Sequence, residues 1–296
     1  MMIRPIRLNR RSMLIAAAAF AGLVSLGLGA HAALHLASSD ADSKAKQVAV
    51  TQGAKRLALV IGNGHYPDAG APLAQPINDA RTLARTLRDE GFEVEAVEDG
   101  TKADMQRAVD RLTARITPDT VVTLFFGGYG IQSGRESYMI PVDAVIWKEA
   151  DIRRNGISIE SVLAAMSERG AKAKFAVIDA SRRNPYERRF RQYSHGLAPI
   201  SAPANALILS SATPGQVVDD MPPSDNSVLV SELLEALKSD GGTVETVSTR
   251  TRNAVSRRTN GAQVPSVSSS LLEDIRIKAS AHTQAAAGQT TAAKGK

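Results

Sequence analysis

Side chains that could carry out chemistry are concentrated in four short segments, each of which directly follows an apolar run. These segments combine small and polar residues and cover positions 62–66, 127–130, 179–182 and 210–213. The third segment places a hydroxyl group, Ser181, two residues after a carboxylate, Asp179. A serine hydroxyl attacks a carbonyl carbon only when a base within hydrogen-bond reach removes its proton. The sequence therefore allows a weak hydrolase that uses Ser181, provided that a base lies beside it.

Histidines are the candidate bases, because imidazole exchanges protons near neutral pH. His65 follows the first apolar run, and His195 lies in the loop after Ser181. The other three histidines lie near the chain ends: His31, His35 and His282. Tyr129, in the second segment, cannot be the base, because a phenol with a pKa of about 10 is neutral at pH 7. An incidental position in the loop is the alternative for both His65 and His195.

The composition excludes several classes of site. The chain has no cysteine, so it has no disulfide, no cysteine-ligated metal and no thiol nucleophile. Its His, Asp and Glu residues lack convincing metal-ligand spacing, and the 62–64 Gly-Asn-Gly turn is too short for a phosphate-binding loop. We therefore predict no cofactor. Four of the six net positive charges lie in the first 32 residues, so the charge gives little reason to expect nucleic acid as a partner.

Short apolar runs alternate with amphipathic helical patterns through the middle of the chain. The runs predict strands at 56–61, 92–97, 121–126, 175–178 and 206–209, and the patterns predict helices ending near 88 and 116 and at 157–168, 227–238 and 244–257. Strands that are apolar on both faces are typical of a mostly parallel α/β sheet covered by helices on both sides. Sites in such sheets form at the carboxyl ends of the strands, so we expect the four segments to meet there.

Seven motifs, in order from residue 57 to residue 265, resemble those of bacterial caspase-like and metacaspase-type peptidases. They are LALVIGN at 57–63, INDA at 77–80, FFGGYG at 125–130, YMIPVD at 138–143, VIDASRRNP at 177–185, SATPGQ at 211–216 and QVP at 263–265. The resemblance implies a three-layer fold with a six-stranded, mostly parallel sheet and helices on both faces. It also implies a reaction in which a cysteine thiolate attacks and a histidine assists.

The resemblance places Tyr129 at the histidine position and Ser181 at the cysteine position. A thiol needs only a modest pKa shift to ionise at neutral pH, whereas a serine hydroxyl needs a base, which Tyr129 cannot be. We therefore expect a caspase-like pseudo-peptidase and lean against an enzyme. Tyr129 then fills the pocket and donates a hydrogen bond, and Ser181 caps a following helix.

Asp79 and Asp179 match acidic residues that line the specificity pocket of metacaspase-type relatives, which prefer Arg or Lys beside the cleaved bond. Gly128 and Ser211, in neighbouring motifs, are assigned to substrate binding by the same resemblance. The implied partner is a peptide or protein that presents an Arg or Lys side chain. The alternative is that Asp79 caps its own helix and Asp179 accepts from nearby backbone groups.

A basic cluster follows Ser181 and departs from the family pattern, in which an acidic residue is common at position 183. It consists of Arg182, Arg183, Arg188, Arg189 and Arg191. Such a cluster could contact an anionic surface or an acidic partner, and thereby make the protein an adaptor. A solvated loop is the alternative.

The chain ends predict export and a folded domain at 55–278. Residues 1–11 are basic, 13–30 are apolar, and Ala30-His31-Ala32 fits a cleavage site, so 1–32 is typical of an export signal. An uncleaved anchor and a twin-arginine signal at Arg10-Arg11 are alternatives. Residues 33–54 read as a linker and 279–296 as a disordered tail. We expect an exported, periplasmic or secreted protein that is membrane-anchored if the signal stays.

Overall fold

The computed structural model describes residues 54–67, 72–182, 196–218, 224–239 and 242–277. The predicted export signal, the predicted tail and nearly all of the predicted linker lie outside these residues. Within the described part, no helix is long and apolar enough to cross a membrane.

The main sheet has six strands in the order β2-β1-β3-β7-β8-β9, of which only β9 runs antiparallel to its neighbour. The strands are β1 (Arg56–Gly62), β2 (Glu93–Glu98), β3 (Val121–Gly127), β7 (Ala173–Asp179), β8 (Ala206–Ser210) and β9 (Ser266–Ser269). All five predicted strands are present within two residues of their expected ends. The mostly parallel, six-stranded sheet is therefore confirmed.

Alternating side chains of the central strands supply two separate cores. Leu57, Leu59 and Ile61 of β1 pack on one face of the sheet, while Ala58 and Val60 pack on the other. Every residue of β3 and β7 is buried, as expected for strands covered on both faces. The edge strand β2 instead contains glutamates among its apolar residues, and it remains partly exposed.

The described part of the chain has six helices. They are α1 (Pro76–Asp89), α2 (Lys102–Ala114), α3 (Glu149–Asn155), α4 (Ile159–Glu168), α5 (Val228–Lys238) and α6 (Val244–Arg258). The apolar sides of α1, α5 and α6 contribute to one core, and those of α2 and α4 to the other. The predicted three-layer architecture is thus confirmed.

Helix ends follow the capping chemistry of the sequence, with one correction. Thr101 and Asp104 form the predicted capping box at the start of α2. The helix predicted from residue 157 begins at Ile159 instead, because Ile157 and Ser158 pair with another strand and Ser158 caps the helix.

A second, three-stranded antiparallel sheet was not predicted. It consists of β4 (Gly130–Ser133), β5 (Glu136–Met139) and β6 (Ile157–Ser158). The sheet follows directly from β3, and its inner side buries Ile131 and Tyr138 in a small core with Tyr66 and Tyr129. This core lies where the chain leaves the carboxyl ends of β1 and β3, and it positions the turn that contains Tyr129.

Candidate functional site

Parallel pairing brings the four predicted segments to one edge of the main sheet. The last residues of three neighbouring strands are in register, with Gly62 opposite Gly127 and Gly127 opposite Asp179. The pairing of Ile178 with Ser210 adds the end of β8. The residues that follow these strands are therefore neighbours, as predicted.

The turn after β3 is attached to the end of β7 by its backbone. The N–H of Gly128 donates to the carbonyl of Asp179 at 3.2 Å, and the N–H of Gly130 donates to that of Ala180 at 2.9 Å. Tyr129 lies between them and is buried. These bonds hold Tyr129 and Ser181 on adjacent backbone segments.

Tyr66 fixes this turn from the side of β1. Its hydroxyl accepts from the N–H of Tyr129 at 3.1 Å and donates to the carbonyl of Ile140 at 2.9 Å. The two tyrosine rings meet edge to face, with centroids 4.8 Å apart, a favourable geometry. Tyr66 is thus a positioning residue that the sequence analysis did not assign to the site, although it followed the first motif.

Gly128 is required by this packing. A Cβ at Gly128 would lie 2.6 Å from the Tyr66 hydroxyl oxygen and 3.0 Å from the Phe126 ring. We expect Gly128→Ala to lower the free energy of unfolding by about 1–3 kcal/mol through overpacking. Chemical denaturation should show a smaller loss when the change is made in a Tyr66→Phe background, where the clashing oxygen is absent. Equal losses in both backgrounds would contradict this explanation.

Ser181 is buried among backbone and hydroxyl groups. Its N–H donates to Ser211 Oγ at 3.4 Å, and its carbonyl accepts from the N–H of Val218 at 2.6 Å. Ser211 is held in turn by Gln263, whose side-chain amide donates to its carbonyl at 3.0 Å. Ser211 therefore supports the backbone at Ser181, and Gln263 is a second positioning residue.

The backbone donors around Ser181 are already used. Stabilisation of an oxyanion needs N–H groups aimed at the developing negative charge. The N–H groups of Gly128, Gly130 and Ser181 donate instead to acceptors within the protein. An oxyanion hole that used any of these three N–H groups would first have to break its present bond.

Asp79 lies in the first turns of α1, but its side chain does not cap that helix. Its Oδ1 accepts from the side-chain amide of Asn226 at 2.8 Å and from the N–H of Ser227 at 2.9 Å. Ser227 is the N-cap of α5. Asp79 therefore connects two helices that are far apart in the sequence, which differs from the own-helix cap considered above.

Asp179 shares its surroundings with Arg182 and Asp79. Arg182 Nη2 lies 3.6 Å from Asp179 Oδ2, and Arg182 Nη1 donates to the carbonyls of Asp179 and Gly128. Burial and the nearby charge of Asp179 raise the pKa of Asp79 to about 7, against the lowering effects of Asn226, Ser227 and Arg182. The structure thus brings the two predicted pocket carboxylates together.

Comparison with known families agrees with this geometry. The family model described as the caspase domain matches residues 55–276, which is most of the chain. The chain belongs to the caspase-domain family. The resemblance inferred from the seven motifs is therefore confirmed at the level of the family.

Two curated relatives share part of this caspase domain. The mucosa-associated lymphoid tissue lymphoma translocation protein 1 of Homo sapiens and its homologue in Mus musculus are each 29% identical over 133 residues. The alignment covers 45% of this chain but only 16% of each relative. The likeness thus concerns one region of much longer proteins.

A solved structure has the same fold. The crystal structure of the protein GSU0716 from Geobacter sulfurreducens matches with a TM-score of 0.56 and 15% sequence identity. The match covers 76% of this chain and 99% of that chain. At this identity the likeness describes the fold of the caspase domain alone.

His65, the first candidate rescue base, lies beside Asp99. Its Nδ1 lies 2.6 Å from Asp99 Oδ2, and its ring is largely exposed. Asp99 directly follows β2, which is three strand positions from β7, or about 14 Å at ordinary strand spacing. Burial raises the pKa of Asp99, but the N–H groups of His65 and Gly64 and the His65 ring outweigh it and lower that pKa. The Asp99 carboxylate therefore holds the His65 ring beside the end of β2, the outermost strand of the main sheet.

Most of the predicted basic cluster lies outside the described residues, as does the other candidate base, His195. The cluster members concerned are Arg183, Arg188, Arg189 and Arg191. Arg182 needs a correction, since it is buried and bonded to Asp179 and Gly128 instead of belonging to an exposed surface. In the described part of the caspase domain, no three acidic or histidine side chains are grouped to hold a metal ion.

Proposed function

We propose that this protein is a non-catalytic caspase-domain protein that binds an Arg or Lys side chain of a peptide or protein partner. The single observation that carries the proposal is the pair of adjacent buried carboxylates, Asp79 and Asp179, in a chain that has no cysteine. The basic N-terminus and its apolar run support the further proposal that the protein acts after export.

The absence of catalysis follows from the chemistry of the two positions assigned to the dyad. With Tyr129 and Ser181 there, the two positions supply neither a thiolate nor a base. The backbone N–H groups around Ser181 are occupied as well. The His65 ring is bonded to Asp99, which follows the outermost strand, β2.

Binding of a basic side chain is supported by an excess of negative charge. Asp79 and Asp179 carry two carboxylates, and Arg182 supplies one cation. A guanidinium or ammonium group is the natural partner for the remaining carboxylate. Both carboxylates are covered in this structure, so binding requires a local opening whose free-energy cost lowers the apparent affinity.

A direct binding experiment tests the proposal. The full chain is titrated with an acetylated tripeptide amide that contains arginine, with its lysine form, and with its citrulline form, which has nearly the same shape but no charge. We expect the two charged peptides to bind and stay intact, and Asp179→Asn to weaken their binding at least about tenfold. Asp89→Asn, on the exposed end of α1, is the control. Failure of both charged peptides to bind at millimolar concentration would contradict the proposal.

A further inference from the structure

Three charged side chains share one buried location at the carboxyl edge of the sheet. Asp79 is 0% exposed, Asp179 is 4% exposed and Arg182 is 6% exposed. The guanidinium of Arg182 lies 3.6 Å from Asp179 Oδ2 and also donates to the backbone carbonyls of Asp179 and Gly128. The cluster therefore contains two acids and one base.

The two carboxylates differ in their pairing, because Asp179 Oδ2 lies 3.6 Å from Arg182 Nη2, whereas no cation among the described residues forms an ion pair with Asp79. Within the described part of the chain, Oδ2 of Asp79 and Oδ2 of Asp179 are buried without a hydrogen-bond partner. An unpaired buried charge is strongly unfavourable. One carboxylate must therefore acquire either a proton or a second cation.

Among the described residues, the hydrogen-bond donors and charged groups that act on the Asp79 carboxylate come from two places in the fold. The side chain of Asn226 and the N–H of Ser227, at the start of α5, bind Oδ1. Asp179 and Arg182, at the end of β7, act through their charges. The donors at the start of α5 are neutral, so they cannot balance the negative charge of the Asp79 carboxylate. The positive charge of Arg182 is already paired with Asp179. Asp79 is therefore the carboxylate that takes up the proton, with a pKa of about 7.

We propose that the Asp79–Asp179–Arg182 cluster holds either a proton on Asp79 or one basic side chain of a bound peptide, and exchanges the first for the second. When a guanidinium or ammonium group enters, the proton leaves the Asp79 carboxyl for solvent, and the charge of the cluster is conserved. Mildly acidic conditions then favour the closed, unliganded protein, and alkaline conditions favour peptide binding. This inference rests on the proposed function and adds its regulation.

The test is the pH dependence of peptide binding by the full chain. The arginine tripeptide is titrated calorimetrically between about pH 6 and about pH 8, in two buffers with different ionisation enthalpies. One linked proton with a pKa of about 7 makes binding about tenfold tighter at the upper pH. The buffer dependence of the heat should show up to one proton released per peptide. In Asp79→Asn, the cluster has neither the carboxylate that receives the basic side chain nor the exchangeable proton, so we expect weak binding at both pH values, without a pH trend and without proton release.

The outcomes separate this inference from the proposed function. Binding that tightens with pH in the wild type and in Asp89→Asn, but not in Asp79→Asn, supports the exchange. Binding of the arginine peptide with the same affinity throughout, and without proton release, overturns the exchange but leaves the proposed function intact. Failure of the peptide to bind across the whole range overturns both. Circular dichroism of each variant at each pH confirms that the compared proteins are folded.

Discussion

The full chain should leave fluorogenic peptides that end in arginine or lysine uncut, and Ser181→Ala should leave this baseline unchanged. The expectation follows from the hydroxyl of Ser181 at the position of the family's thiol and from the phenol of Tyr129, which cannot act as a base at neutral pH, at the position of its histidine. Removal of a working nucleophile lowers turnover by several orders of magnitude. Equal hydrolysis rates for the wild type and Ser181→Ala would therefore show that Ser181 is not a working nucleophile.

A restored dyad is the matched control for that experiment. In the double variant Tyr129→His with Ser181→Cys, an imidazole and a thiol stand on adjacent backbone segments. We expect cleavage after basic residues above the baseline, at a modest rate because the Gly130 N–H is bonded to Ala180. Cleavage by the wild type that Ser181→Ala abolishes would overturn the non-catalytic proposal. His65 and His195 would then be the next residues to replace.

Asp79→Asn should make the protein more stable at neutral and alkaline pH and abolish most of its pH dependence. The pKa of Asp79 is raised from 3.8 to about 7 by burial and by Asp179. The folded state therefore binds more protons than the unfolded chain between these values. Its stability is greatest below the unfolded pKa and falls as pH rises through about 7. A shift of this size corresponds to a loss of about 4 kcal/mol.

The substitution keeps the contacts that Asp79 makes and removes its charge. An amide oxygen still accepts from Asn226 and Ser227, and the amide nitrogen that replaces Oδ2 carries no negative charge. Urea denaturation between about pH 5 and about pH 8 measures the effect. Asp89→Asn, an exposed change on the same helix, should retain the wild-type slope. A wild-type stability that rises over this interval would contradict the assignment of the proton to Asp79.

The sequence by itself determined the five parallel strands of the main sheet and the edge at which the site lies. The runs at β1, β3, β7 and β8 are apolar on both faces, so they could only be central strands between two helical layers. The polar segments after them had to meet, because parallel strands end at the same edge. The seven motifs determined the family, and the Thr101 capping box determined the start of α2.

Only the tertiary structure decided the smaller elements. β4, β5 and β9 are four residues long and combine polar with apolar residues, so their local pattern resembles that of a loop. Their pairing is determined by neighbours distant in the chain. For the same reason α4 begins at Ile159 and not at the predicted residue 157, because Ile157 and Ser158 pair with β5.

The charge state of the site was likewise decided by the tertiary structure. The sequence identified Asp79 and Asp179 but gave no sign that Asn226 and Ser227, nearly 150 residues away, bind the first, or that Arg182 pairs with the second. It also gave no sign that the His65 ring lies beside the Asp99 carboxylate. Residue types and order are local properties, whereas burial, pairing and pKa depend on contacts that form only when the chain is folded.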